Sequence, residues 1–366
     1  MSARDVVRSA IAALNPVWLE PPVLQPAALY LELAGEDLRR RAFLVADDSQ
    51  GDLCLRPDMT APAVREAFAL PVTPPLIAYE GLVFRQQEAG GGQNEFVQIG
   101  AEWIGGAMDI EAEADVIARA IAACRAAGVE PHLRLGDLAI RAGFVAGCNL
   151  GEDWAARTMS ALDHPSRLDS LALHAREDEG EGLAEALAGL SAPAAEAVVA
   201  DVLRLARITP VGARPIAEIA QRLQKRGKLE ANPGPNAAQR DLLKALAAID
   251  AGDGLAQARA LTNSPALAAP QAARNAVDRA EARVAALAKR TTLPTHTRFA
   301  PGLGRALSYY DGFVFELEAK DGKSLGGGGR YDALARALWP PGPPAPQSLG
   351  AAGFALRPAR LDEAAA

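Results

Sequence analysis

The chain has 366 residues, 49% hydrophobic and 23% charged, with a net charge of −7. That is enough apolar material for one large domain with an insertion, or for two domains, and it excludes bulk disorder. An acidic balance argues against a protein whose main task is gripping nucleic acid, because phosphate binding needs clustered Lys and Arg.

The densest basic run, Arg39-Arg40-Arg41, reads as a solvated helix face. Cys54, Cys124 and Cys148 are far apart and odd in number, and none lies close in sequence to a histidine. Reduced thiols are the reading, with no metal and no cofactor expected. No signal-peptide core and no run of about 18 apolar residues is found, so the chain is read as cytoplasmic.

In chain order, Val6–Leu14 reads as an amphipathic helix, and Pro21, Pro22 and Pro26 lead into a second near Ala27–Gly35. Ala42–Ala46 and Leu53–Arg56 flank the turn-rich DDSQGD and read as a hairpin. Leu76–Phe84 and Glu95–Ile104 read as a second strand pair, joined by the Gly-rich Glu88–Asn94. Asp109–Gly128 is a helix with Ile110, Ala114, Ile117, Ile121 and Cys124 on one face and acidic residues in its first turns, where the helix dipole favours them. Pro131–Gly136 is a short strand.

Residues 151–292 turn Ala-, Leu- and Arg-rich and read as a mainly helical insertion. Strand character returns at Phe313–Glu318, followed by a turn at Asp321-Gly322 and a helix starting near Tyr331. The insertion therefore separates 1–150 and 293–366, two parts of one sheet domain. The fold class is α+β.

Four segments stand out from plain scaffold. Arg56-Pro57-Asp58-Met59-Thr60 places an Arg and an Asp beside a proline, which a surface turn would also explain. Phe84-Arg85 is followed by FVQIGAE, where Gln98, Gly100 and Glu102 share one strand face. That suits a floor that hydrogen-bonds a polar ligand, or equally a sheet with one wetted face. GLGRALSYYDGFVFE sets Arg305 ahead of Tyr309 and Tyr310, a possible source of charge and phenol donors or a core tyrosine pair with a rim arginine. Gly326–Gly329 allows close backbone approach or a flexible turn, and lacks the GK[ST] ending of a phosphate loop.

Together and in this order, these segments resemble class II aminoacyl-tRNA synthetases, specifically the histidine enzyme, over about 1–150 and 295–361. LRPDMT is similar to that family's RPEGT segment. Tyr79–Arg85 and Glu95–Gly105 are similar to motif 2, and GRALSYYDGFVFE and LGGGGRYDAL to its two histidine-specific elements. GFALRPARL is similar to motif 3. The resemblance implies an antiparallel sheet flanked by helices. It also implies a histidine-like pocket: Asp58 for the α-ammonium, Arg85 for the carboxylate or phosphate, Gln98 and Glu102 lining the pocket, Tyr309 and Tyr310 at the imidazole, and Arg305 near the reacting phosphate. Arg360 would be a vestigial nucleotide-side arginine.

Departures cluster on the nucleotide side. The motif 2 loop equivalent, Gly91–Phe96, lacks the family's arginine, and Arg357-Pro358-Ala359 stands where the motif 3 glycine leaves room. Five residues follow Leu361, so no anticodon-binding domain is expected. Such a core resembles the histidyl-tRNA synthetase-like regulatory subunits of ATP phosphoribosyltransferase. That resemblance implies no catalytic residues. It implies a short-form catalytic subunit as partner, histidine as effector, and a dimer, paired near Leu19–Leu29, within a larger hetero-oligomer; neither nucleic acid nor membrane is implied. A minimal enzyme that adenylates histidine or another amino acid is the alternative reading, and an RNA-binding synthetase relative the third.

Overall fold

A capping box opens the first helix. The Ser2 side chain accepts from the Asp5 amide while Asp5 accepts from the Ser2 amide, which starts α1 (Ala3–Ala12) ahead of its apolar face of Ala3, Val7 and Ile11. The computed structural model describes the chain except residues 34–40, 46–51, 87–92, 163, 165, 172–180, 207–215, 232–233, 304–308 and 343. Arg39, Arg40, most of DDSQGD, most of the Glu88–Asn94 connection and Arg305 thus lie outside the described residues.

The chain forms two units. One comprises residues 1–140, 248–259 and 275–366. It contains β1 (Val17–Leu19), β2 (Leu24–Pro26), α2 (Ala27–Leu33), β3 (Phe43–Val45), β4 (Leu53–Leu55), α3 (Thr60–Ala69), β5 (Leu76–Phe84), β6 (Glu95–Ile104), α4 (Ile110–Ala126) and β7 (His132–Asp137). Helix α5 (Leu138–Gly147) leads out of it. The second unit, residues 141–247 and 260–274, is helical. It holds α6 (Glu152–Ala161), α7 (Arg167–Ser170), α8 (Glu181–Ala188), α9 (Ala192–Leu205), α10 (Ile216–Ala231) and α11 (Ala237–Ala247). Helices α12 (Gly254–Leu261) and α13 (Gln271–Arg290) run across the division. The first unit is completed by β8 (Thr297–Phe299), β9 (Phe313–Glu318), β10 (Ser324–Arg330), α14 (Asp332–Leu338), β11 (Ala351–Leu356) and α15 (Pro358–Ala365).

Eight strands make one sheet in the order β1-β5-β6-β11-β10-β9-β7-β8. Its six central strands are antiparallel neighbours, while β1 on β5 and β8 on β7 pair in parallel at the edges. The strands expected at Leu76–Phe84, Glu95–Ile104 and Phe313–Glu318 form with those bounds, and β3 and β4 pair antiparallel in a smaller sheet with β2. Asp109 caps α4 by accepting from the Ala112 amide at 2.8 Å.

Glycine positions 326–329 depart from a turn: they are the middle of β10, paired on both sides. Only Gly326, at φ +145°, breaks the pattern, beside a register shift against β9. Residues 248–259 belong with the sheet because Ala251 exchanges backbone hydrogen bonds with Phe299 and Asp250 pairs with Arg134 and Arg298.

Ile77, Tyr79 and Val83 of β5 pack with Val64, Ala67 and Phe68 of α3 and Leu334 and Leu338 of α14. Phe68 meets Trp339 edge-on at 5.0 Å. This cluster is the wall behind the candidate site. In the helical unit, α8, α9 and α10 share a separate small core of Leu187, Ala195, Val199 and Ala220.

Candidate functional site

Asp58 sits just before α3 and is 1% exposed. Its Oδ1 accepts from the Ala61 amide at 3.1 Å, while Oδ2 has no hydrogen-bond partner although it is buried. Burial pushes this carboxyl above the usual carboxylate range. The Arg85 guanidinium and the amides at the helix start only partly oppose the rise. A buried carboxylate with an unsatisfied oxygen is costly in itself, and a cation or donor brought to it would relieve that cost.

Glu102 is equally buried, but its oxygens are engaged. Thr60 Oγ1 donates to Oε1 at 2.8 Å and Tyr79 Oη at 2.7 Å, and Tyr331 Oη donates to Oε2 at 2.7 Å. Burial raises the Glu102 carboxyl to about 7, with these three hydroxyls pulling it down and the charge of Asp58 pushing it up. Three hydroxyls from α3, β5 and the end of β10 thus converge on one carboxylate of β6. Room for it comes from β11: a Cβ at Gly353 would lie 1.7 Å from Glu102 Oε2.

The aromatic wall stands beside these carboxylates. Tyr309 and Tyr310 pack at 4.8 Å between ring centroids, and Tyr331 meets them edge-on at 6.0 and 6.5 Å. Tyr309 Oη is buried and makes no hydrogen bond of good geometry, and its phenol is pushed far up by burial and then by Tyr310 and the charges of Asp58 and Glu102, with the Thr60 hydroxyl opposing. A Cβ at Gly329 would touch the Tyr310 ring at 2.8 Å, so β10 is bare where that ring lies. Tyr30 Oη is a further buried hydroxyl without a partner, and it feels the Asp58 charge.

Gln98 is buried on the same face of β6 as Glu102, two pleats away, opposite Gly81. Arg85 donates from Nε to Pro57 O, which ties the end of β5 to the Asp58 segment, and its guanidinium lies 5.6 Å from the Phe96 ring centroid. Arg357 covers the same ring more closely, at 4.3 Å. Arg360, on α15, pairs with Glu363 at 2.6 Å.

Asp58, Glu102 and Tyr309 thus form one buried cluster whose charges act on one another, with the Arg85 charge favouring ionised Asp58 and the Tyr310 ring packed at a tilt against Tyr309. Sequence reasoning missed Thr60, Tyr79, Tyr331 and Tyr30. Thr60, Tyr79 and Tyr331 stand inside the motifs already singled out. Their hydroxyls share a partner only once β5, β6 and β10 are registered, which no local spacing reveals. Among the described residues, no group of three or more His, Cys, Asp or Glu is placed to hold a metal.

The sequence model of the family described as Histidyl-tRNA synthetase matches residues 18–226 and 197–361. The ATP phosphoribosyltransferase regulatory subunit of Brucella anthropi is 34% identical over 354 residues, covering 92% of this chain and 90% of that protein. The subunit of the same name from Sinorhizobium medicae is 32% identical over 363 residues, covering 96% and 94%. The chain belongs to the family of ATP phosphoribosyltransferase regulatory subunits. Solved structures agree on its histidyl-tRNA synthetase-like fold. One described as an ATP phosphoribosyltransferase regulatory subunit/histidyl-tRNA synthetase from Bacillus halodurans superposes with a TM-score of 0.62 at 22% identity, covering 100% of this chain and 78% of that one. A histidine–tRNA ligase subunit from Alicyclobacillus acidocaldarius gives 0.58 at 20% identity, covering 99% and 92%. Members of the regulatory-subunit family are non-catalytic components of histidine biosynthesis, and this one keeps the α+β class II sheet. After β11 the described chain adds only α15.

Proposed function

We propose that the subunit activates a short-form catalytic subunit of ATP phosphoribosyltransferase, and that the cluster around Asp58, Glu102 and Tyr309 is a histidine-binding pocket through which histidine exerts feedback inhibition. The observation that carries the pocket is the pair of buried, unpartnered atoms Asp58 Oδ2 and Tyr309 Oη beside the engaged Glu102. An ammonium satisfies Asp58, and an imidazole suits the phenol wall of Tyr309 and Tyr310. Arg85 is placed near Asp58 for a carboxylate, with Gln98 along the same strand face. Arg305 and Arg360 complete the proposed set, Arg360 as a vestige of a nucleotide side. Arg357 stacked on Phe96 supports a pocket that binds an amino acid without activating it.

Self-association belongs to the same proposal. Val17, Val23, Leu24, Leu44, Val45 and Leu82 are large apolar residues left exposed on β1, the small sheet and β5, around the segment Leu19–Leu29. The subunit acts in the cytoplasm, an assignment that three buried, unpaired cysteines suit. No helix among the described residues is long and apolar enough to cross a membrane.

Calorimetry with histidine on the purified chain tests the pocket. Saturable binding that weakens by about tenfold or more on Asp58→Asn, with no histidine-dependent ATP–pyrophosphate exchange, is the expected result. Exchange activity would establish an adenylating enzyme instead, and no binding would remove the histidine pocket.

A further inference from the structure

A second polar cluster lies outside the pocket and is as deeply buried. Arg283 of α13 donates from Nε to Glu113 Oε2 and from Nη1 to Asp137 Oδ2, both at 2.6 Å. Its guanidinium lies 5.2 Å from the Phe313 ring centroid. Glu113, on α4, and Asp137, at the end of β7, each have side chains 1% exposed. The second oxygen of Glu113 accepts from Arg330 Nη1 at 2.7 Å, and Arg330 also holds Asp332 and the Met108 carbonyl. Asp137 Oδ1 accepts from the Ala139 amide at 2.8 Å, in the first turn of α5.

Both ends of this chain of charges are informative. At one end, Arg330 precedes Tyr331, whose hydroxyl donates to Glu102 in the pocket floor. At the other, Arg283 and Asp137 sit on α13 and at the root of α5. Those two helices carry the chain between the sheet unit and the helical unit, with the divisions falling at 140/141 and 274/275. Helix α12, which also crosses, is tied to α13 through Arg259, paired with Asp278 and Glu281. One arginine thus ties the middle of α13 to the root of α5 and touches the carboxylate that holds the residue next to Tyr331.

Simple stabilisation does not call for this arrangement. Burying several charges together is on the order of neutral against well-packed apolar residues, because desolvation offsets the attraction. Its distinctive property is geometric: a shift of Tyr331 with Glu102 moves Arg330, and Glu113 is shared between Arg330 and Arg283. We infer that the Arg330–Glu113–Arg283–Asp137 chain couples occupancy of the Glu102 pocket to helices α5 and α13, with Arg283 as its positioning residue. This rests on the reading of the pocket as a ligand site and adds the route by which its occupancy is transmitted.

Hydrogen exchange of the full chain, with and without saturating histidine, tests it, with histidine affinity measured in parallel. In the wild type, histidine slows exchange of amides in residues 138–147 and 271–290 by about fivefold or more. Arg283→Lys keeps the charge but does not span both carboxylates. The triple variant Glu113→Gln, Asp137→Asn, Arg283→Met removes the chain without stranding a charge. Both variants lose the histidine-dependent change in α5 and α13 while histidine affinity stays within about threefold of wild type. An unchanged histidine response in either variant overturns the inference, as does a wild type that binds histidine without protecting these helices. A tenfold or larger loss of affinity, on the order of 1.4 kcal/mol, would instead make Arg283 a prop of the pocket and overturn it too. A wild type that binds no histidine sinks the pocket reading first, and is recognised by calorimetry before any exchange is measured.

Discussion

Asp58 and Glu102 are two buried carboxylates with different tasks. Asp58 keeps an unpartnered oxygen; Glu102 spends both of its own on hydroxyls. Asp58→Asn therefore acts on the ligand. It weakens histidine binding by about tenfold or more, the worth of one charge-assisted hydrogen bond, while thermal stability holds or rises because a buried charge is removed. Titration calorimetry and a melting curve on the same preparation check both halves.

Glu102 acts on stability, and its sign follows from its raised carboxyl. The folded protein holds the proton to about 7, whereas the unfolded chain releases it near 4.5. Stability attached to the protonated form is complete below pH 4.5 and is lost as pH rises through 7. Glu102→Gln has no such dependence and keeps an acceptor for Thr60 and Tyr79. The variant gains on the wild type between pH 4.5 and 7, by up to about 3 kcal/mol. Urea unfolding at pH 5 and pH 8 measures the difference; a constant gap between the two proteins would contradict it.

At the scale of elements, the glycines of β10 and β11 decide whether the floor can form. Gly353 faces Glu102 across the β6–β11 register, and a Cβ there would collide with Oε2. Gly353→Ala costs about 1–3 kcal/mol, the usual range for overpacking a tight core. It also broadens histidine binding if the carboxylate is displaced. Gly322→Ala, at a turn with φ +79° and open space around it, destabilises through backbone strain and leaves histidine affinity untouched. Comparing the two by denaturation and calorimetry separates a pocket effect from a backbone effect.

The same elements show what a sequence reveals. Strands β5, β6 and β9 are legible because apolar and polar residues alternate or run unbroken between turn residues, and α4 because its apolar face repeats at three and four. Four successive glycines carry no side-chain pattern, so β10 could not be told from a loop. Its strand character comes from pairing with β9 and β11, distant in sequence. Of the candidate site, Asp58, Gln98, Glu102, Tyr309 and Tyr310 stood out through motif resemblance. Thr60, Tyr79 and Tyr331 did not, because a hydroxyl in a strand or at a helix start has many ordinary roles. Only Glu102 reaching all three gives them this one. The Glu113–Arg283–Asp137 chain was equally hidden, since its members are separated by most of the insertion.

On the scale of the whole molecule, an exposed apolar surface and a buried polar chain suit a subunit that works by assembly. Replacing Leu24 and Leu44 with Glu places two charges among the exposed apolar residues of the small sheet. Sedimentation velocity is expected to show a dimer for the wild type and a monomer for this variant, since buried unpaired charges weaken an interface by several kcal/mol. An unchanged dimer would move the self-association surface elsewhere.

The central claim is regulatory, and one measurement reaches it most directly. The purified chain is mixed with its short-form catalytic subunit, and phosphoribosyl transfer to ATP is followed with and without histidine. The rate is expected to rise by roughly tenfold on mixing and to fall again as histidine saturates the complex, with Asp58→Asn retaining the rise but resisting the fall. A rate that ignores the chain, or an inhibition by histidine that Asp58→Asn leaves intact, would contradict the account.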